Sequence, residues 1–293
     1  MLENASPIKT LNPKILSGIV VRDVCTVELI ERFKKNKHTP EIAIIQVGSR
    51  SDSTAYIKAK ITFAEKVGVI ARHIHLFKND NEKVTPEIMQ KMQDEIIGEV
   101  KKCNANKAIR GIIVQLPLPE FLNKDEIIEI IDPKKDIDGL TSANTKLFFE
   151  NNSHAIVPAT ARGVMDLLAY YKIVLKNKKV TVIGRSALVG KPIVKLCEEA
   201  GAAVTVAHSK TIDLIKETKS ADIIISAVGK KNLIGVENVR SGQIIVDIGR
   251  DVDFEAVSKV IGPTGAITPA IGGVGPMTVF ALFENLLDLL SVY

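Results

Sequence analysis

The 293-residue sequence predicts an α/β protein of two domains, each a parallel sheet covered by helices. Two observations carry this. Short β-branched runs alternate with longer stretches of helical periodicity, the pattern of β–α–β units rather than of a bundle or a sandwich. The alternation also stops and restarts, because the polar stretch Glu150-Asn151-Asn152-Ser153-His154 interrupts it. A composition of 46% hydrophobic and 25% charged residues is that of a globular chain with a sizeable core.

In the first half, strands are expected at 42–47, 73–77 and 111–115, with helices at 53–67 and 86–103. Thr85 as an N-cap and Pro86 at the first helical position mark the start of the second helix. Beyond the polar break, strands are expected at 180–183, 204–207, 223–227 and 244–247, with a helix at 191–200. A last helix, 276–290, carries Val279, Phe280, Leu282, Phe283, Leu286, Leu287 and Leu290 on more than one face. A helix apolar all round must be covered, so it is expected to pack back on the first domain. The expected domains are therefore 1–150 together with 277–293, and 151–276.

Several function classes are disfavoured. A net charge of +5, from 39 basic and 34 acidic residues, is too mild to argue for nucleic acid. Aromatic residues make up only 4% and Trp is absent, so platforms for stacking bases are not expected. No eighteen apolar residues run together, which argues against a membrane span. Residues 1–19 resemble neither a secretory signal nor a transit peptide, and a cytoplasmic location is expected. Cys25, Cys103 and Cys197 are scattered and read as reduced thiols. His73 and His75 alternate along a strand with no third ligand at a helpful spacing, so no metal is expected.

The second half carries a cofactor signal. Val180-Thr181-Val182-Ile183 runs into Gly184-Arg185-Ser186-Ala187-Leu188-Val189-Gly190-Lys191-Pro192. A buried strand, a turn with glycine at both ends and a helix beginning near Val189 to Pro192 make a phosphate-binding turn of Rossmann type. An NAD-preferring unit places an acidic residue about twenty positions on, for the ribose 2′-hydroxyl. Here the next strand ends in His208-Ser209-Lys210-Thr211, without a carboxylate. Cations and a hydroxyl suit a 2′-phosphate, and Arg185 is able to fork onto its oxygens. NADP is therefore expected over NAD, although Lys210 reads equally well as a solvated surface charge.

The first half offers a proton-transfer constellation. Ser53, Tyr56 and Lys60 are spaced three and four apart, on one helical face, with Ile57, Ile61, Ala64 and Val67 assigned to the face that seats the helix. A lysine desolvated in a closed site is a usable proton shuttle near neutral pH. Taken alone, Lys60 reads as a surface lysine. Gln115, at a strand end before Leu116-Pro117-Leu118-Pro119, and Asp138, in Asp136-Ile137-Asp138-Gly139-Leu140, supply possible partners. Asp136 reads as a turn cap, and Asp138 admits that reading too.

Together these segments resemble the bifunctional methylenetetrahydrofolate dehydrogenase/methenyltetrahydrofolate cyclohydrolase family. The matching elements are Ser53, Tyr56 and Lys60; Gln115-Leu116-Pro117-Leu118; Lys135-Asp136-Ile137-Asp138-Gly139; Gly184-Arg185-Ser186 with Gly190-Lys191-Pro192; His208-Ser209; and Gly272-Gly273-Val274-Gly275-Pro276. The resemblance implies an N-terminal catalytic domain, a C-terminal Rossmann-type domain and a cleft between them. It implies oxidation of methylenetetrahydrofolate by NADP and hydration of the methenyl product to 10-formyltetrahydrofolate. Lys60 would move the proton, Gln115 would hold Lys60, Tyr56 would position the folate and Asp138 would grip the pterin. Ser53, Gly272, Gly275 and Pro276 would contact the substrate. Gly184, Arg185, Ser186, Gly190, Pro192, His208 and Ser209 would bind NADP, and a homodimer is implied. Ala159, Ala161 and Ile271 stand where the family usually has Cys or Pro, removing rigidity rather than a catalytic group. The alternatives are a Rossmann oxidoreductase for a shikimate-like substrate, a monofunctional dehydrogenase, and a folate-binding protein without catalysis.

Overall fold

The computed structural model describes residues 12–36, 38–78 and 85–292. In chain order the first elements are β1 (Lys14–Ile15), α1 (Gly18–Lys34), β2 (Glu41–Val47), α2 (Ser51–Val67), β3 (Ile70–Leu76), α3 (Pro86–Ala105), β4 (Ile109–Val114), α4 (Lys124–Glu129) and α5 (Ser142–Phe149). Then follow α6 (Ala159–Tyr170), β5 (Lys179–Ile183), α7 (Gly190–Glu199), β6 (Ala203–Ala207), α8 (Leu214–Ser220) and β7 (Ile223–Ser226). After a short 3-10 turn at Val236–Asn238 come β8 (Ile244–Asp247), α9 (Phe254–Ile261), β9 (Ala266–Ile267) and α10 (Val274–Val292).

The chain divides into two compact units. Among the described residues, 23–159 and 279–292 form one, and 12–22 and 160–278 form the other. Against the expected 1–150 with 277–293, and 151–276, the last helix joins the first unit as anticipated, while the start of the chain falls in the second unit and the internal boundary lies near 159. Lys14 and Ile15 pair in parallel with Ala266 and Ile267, which draws the start of the chain into the second unit. A two-residue strand carries no readable periodicity, so no pattern in the chain announces it.

The three-stranded unit has the parallel order β3-β2-β4. Ile42, Ala43, Ile44 and Ile45 of β2 are all fully buried, the near-continuous apolar run of a strand covered on both faces. Ala43, Ile45 and Val47 pack with Ile96 and Val100 of α3 and with Ile112 and Val114 of β4. In this unit α10 supplies Phe283, which meets Phe63 of α2 edge-on at 5.2 Å and Phe33 of α1 at 6.5 Å. Asn285 of α10 donates to the carbonyls of Ile137 and Val157, both at 2.9 Å. By length and composition alone α10 would cross a membrane, but 61% of its most apolar 18-residue window is buried within the protein.

Thr85 caps α3 through its hydroxyl and Pro86 opens it, as those residue types require. The strand expected at 73–77 begins earlier and ends at Leu76, where Phe77 turns left-handed at φ 52°. His73 and His75 stack at 5.4 Å, and their Nε2 atoms contact Gln46 Oε1 and the Gly48 carbonyl.

The six-stranded unit is parallel throughout, in the order β1-β9-β8-β7-β5-β6. Ile183, Ala207, Ile224, Ile245, Val257, Ile261 and Ile267 form its core. Chain order reverses beside β5, with β6 on one side and β7 on the other. That is the topological switch point, where ligands of open α/β sheets bind beyond the carboxyl ends of the strands.

Candidate active site

In the three-stranded unit, α2 enters directly from β2 and lies on the sheet. Its buried residues include Ser53, Ile57, Lys60, Ala64 and Val67, so one face carries both the apolar seat and the lysine. This corrects the assignment of Ile57, Ala64 and Val67 to an opposite face: at 100° per residue, positions 53, 57, 60, 64 and 67 form one stripe. Lys60 is only 6% exposed. Tyr56, at the edge of the stripe, is 41% exposed and leaves its ring open to a ligand.

Lys60 Nζ donates to Gln115 Oε1 at 2.9 Å. An ammonium or amine donor dictates which end of the Gln115 amide faces it, and Gln115 Nε2 in turn donates to the Leu116 carbonyl at 2.6 Å. Gln115 sits just past β4, with its N–H bonded to the Ile45 carbonyl at 2.9 Å, so the register of the sheet positions it. A cis bond joins Leu116 to Pro117.

Asp138 is the third member. Burial pulls the Lys60 pKa below its usual 10.5, and the charge of Asp138 opposes that shift. Burial pushes the Asp138 carboxyl up, Lys60 counters it and Asp136 adds to it. Asp136 itself is a fully buried turn clamp. It accepts from the N–H groups of Gly139 (2.9 Å), Leu140 (3.2 Å) and Thr141 (2.8 Å), from the Thr141 hydroxyl (2.8 Å) and from Asn144 Nδ2 (3.0 Å). The N–H of Ala159 binds the Asp138 carbonyl at 3.1 Å. Sequence reasoning found Asp136 as a cap but missed Thr141 and Asn144, which are ordinary N-cap and helix residues until the fold brings them to it.

In the six-stranded unit, Gly184 follows β5 at φ +113°, and a Cβ there would lie 2.7 Å from the Ala227 carbonyl oxygen. A Cβ on Gly190 would lie 2.3 Å from the Gly184 carbonyl oxygen. Only glycines permit this turn. Ser186 Oγ accepts from the N–H groups of Val189 and Gly190, shaping the entry to α7, where Gly190 and Pro192 are buried. Arg185 is exposed beside the turn. At the end of β6, His208 Nδ1 accepts from Lys210 N–H at 3.1 Å and the Thr211 hydroxyl accepts from His208 N–H at 2.8 Å. Ser209 is exposed, and no carboxylate stands in this turn. A glycine cradle at the switch point with cations and hydroxyls around it fits a phosphorylated dinucleotide.

Gly272, at φ +81°, accepts from the N–H groups of Gly18 and Ile19 through its carbonyl. Gly275 and Pro276 lie in the first turn of α10. All three belong to the six-stranded unit, whereas Ser53, Tyr56, Lys60, Gln115 and Asp138 belong to the other. Among the described residues no group of three His, Cys, Asp or Glu is arranged to hold a metal ion. A cavity of about 580 Å³ opens beside the ends of β2 and β3, walled by Val47, Phe77, Ile88, Met92 and Leu118, and none of the five site residues lines it.

Comparison with known proteins matches residues 16–138 to the catalytic domain of tetrahydrofolate dehydrogenase/cyclohydrolase, and residues 158–292 to its NAD(P)-binding domain. The chain belongs to the tetrahydrofolate dehydrogenase/cyclohydrolase family. It is 41% identical over 289 residues to the bifunctional protein FolD of Lactobacillus acidophilus, covering 94% of this chain and 96% of that one. The bifunctional enzyme FolD of Campylobacter jejuni aligns with a TM-score of 0.83 and 35% identity, covering 96% of this chain and 99% of that one. The Trypanosoma brucei methylenetetrahydrofolate dehydrogenase-cyclohydrolase, solved with NADP and an inhibitor, aligns with a TM-score of 0.85 and 31% identity, over 96% and 98% of the two chains. In tetrahydrofolate dehydrogenase/cyclohydrolase terms, the three-stranded unit carries most of the catalytic-domain match and the six-stranded unit most of the NAD(P)-binding match.

Proposed function

We propose that this chain is a bifunctional enzyme that oxidises 5,10-methylenetetrahydrofolate with NADP and hydrolyses the methenyl product to 10-formyltetrahydrofolate. The observation that carries the reading is the buried Lys60 amine, 2.9 Å from Gln115 and within the field of Asp138, on a chain that belongs to this family. NADP bound there would supply a hydride acceptor for the methylene carbon, whose oxidation gives the methenyl cation.

The chain's own residues then act on that cation. Water adds to the electrophilic carbon, and the neutral Lys60 amine takes the proton it sheds. Lys60 returns that proton to the ring nitrogen as its bond to carbon breaks, and the carbinol hydroxyl releases its own proton to solvent as it becomes the formyl carbonyl. Gln115 holds the amine in place, so the proton passes along one path. The Asp138 carboxylate grips the adjacent N–H donors of the pterin, the Tyr56 ring positions the folate, and Ser53 binds beside it. Gly272, Gly275 and Pro276 are further substrate contacts that the family pattern implies.

Gly184, Arg185, Ser186, Gly190, Pro192, His208 and Ser209 hold the dinucleotide, with Arg185 and Ser209 on the 2′-phosphate. Residues 23–159 with 279–293 thus serve the folate chemistry and 160–278 the cofactor. A homodimer forms through β6, an edge strand whose Val206 is 39% exposed. The enzyme works in the cytoplasm on small molecules, without a nucleic-acid or membrane partner, in keeping with its mild charge. The test is spectroscopic. Protein with methylenetetrahydrofolate and NADP should give methenyl absorbance that decays as the formyl product accumulates, and the absence of NADP reduction would reject the reading.

A further inference from the structure

The loop after β7 lies at the switch point. Ala227 at its start faces Gly184, whose missing Cβ leaves room for the Ala227 carbonyl. Beyond it Val228 is 48% exposed and Gly229 is left-handed at φ +80°. The loop's backbone is tied to β5 by the Ala227 N–H, which donates to the Ile183 carbonyl at 2.8 Å. It is also held by one side chain from the neighbouring loop. Asp251, fully buried, accepts the Ser226 hydroxyl at 2.6 Å, the Val228 N–H at 2.9 Å and the Lys230 N–H at 2.6 Å.

Asp251 is itself fixed from below. Its N–H donates to Asp247 Oδ1 at 2.9 Å, and Asp247 Oδ2 accepts from Val252 N–H at 3.2 Å. The N–H of Asp247 binds the Thr268 hydroxyl at 2.8 Å, so the chain of bonds reaches the residue just past β9. The two loops also touch directly, because a Cβ on Gly249 would lie 2.5 Å from the Gly229 nitrogen. Three donors, from the end of β7 and the loop after it, converge on one buried carboxylate that stands more than twenty residues away in sequence. That many charge-assisted bonds on an exposed strand end fix backbone where a ligand must find it preformed.

We propose that Asp251 is a positioning residue for the dinucleotide, holding the backbone of Val228–Lys230 in the shape that receives it at the switch point. The inference rests on the NADP reading above. Asp251→Asn keeps the volume but turns one acceptor into a donor, which then faces an N–H or O–H it is unable to accept.

The experiment compares wild type with Asp251→Asn in two assays and one titration. Calorimetric titration with NADP should show roughly tenfold weaker binding. The dehydrogenase KM for NADP should rise in parallel, while KM for methylenetetrahydrofolate stays within about twofold. Hydrolysis of authentic methenyltetrahydrofolate, which needs no dinucleotide, should remain within about twofold of wild type. Unchanged NADP affinity with cyclohydrolase intact overturns the proposal, as does an equal rise in both KM values. If Asp251→Asn fails to fold, Ser226→Ala decides. It removes one donor and leaves the carboxylate, and NADP affinity should fall roughly threefold with cyclohydrolase kept; unchanged affinity there overturns the proposal. Failure of the NADP reading itself is separate, since wild type would then neither bind nor reduce NADP.

Discussion

At the residue scale the proposed hydrolysis depends on one amine held out of water. Desolvation favours the neutral form of Lys60, and Asp138 favours the charged one. The neutral amine is the form that accepts a proton, so cyclohydrolase turnover should rise with pH through the depressed Lys60 pKa. Asp138→Asn deletes the opposing charge and should lower that pKa further. At saturating substrate, the acidic limb of the pH profile should therefore move to lower pH, and a shift to higher pH would contradict the assigned pairing. Lys60, Gln115 and Asp138 were each legible as types at motif positions, and the resemblance supplied their roles. Their burial was not legible. The seat of α2 was misjudged because Lys60 interrupts an apolar stripe, and a lysine on the inner face is uncommon enough that pattern reading places it outside.

At the element scale, strands with long apolar runs were readable, while β1 and β9 were too short to leave a pattern. The last helix was readable for the opposite reason, being apolar on every side. Phe283 joins Phe33 and Phe63 in one aromatic cluster, so Phe283→Ala should cost about 3–5 kcal/mol, seen as a lower midpoint in urea unfolding. The turn after β5 is the other sensitive element. Gly184→Ala puts a methyl 2.7 Å from the Ala227 carbonyl oxygen at a positive φ. It should weaken NADP binding in a calorimetric titration by roughly 5- to 150-fold, from about 1–3 kcal/mol of backbone strain, while hydrolysis of methenyltetrahydrofolate persists.

At the scale of the whole molecule, the proposed function assigns chemistry that uses a dinucleotide to one unit and chemistry that uses only water and a lysine to the other. The chain's order of motifs revealed two parts, but not that residues 12–22 join the second through β1. Cofactor choice also belongs here: kcat/KM should favour NADP over NAD, and Arg185→Glu should erase that preference by repelling the 2′-phosphate. Association through β6 predicts a dimer by light scattering and a monomer for Val206→Asp, since a charge on an exposed edge strand opposes pairing. The most direct test of the central claim is hydrolysis of methenyltetrahydrofolate, measured above its uncatalysed rate, by Lys60→Met. Folate binding retained with hydrolysis reduced to background is the predicted result. Hydrolysis at the wild-type rate would show that the proton travels by another group.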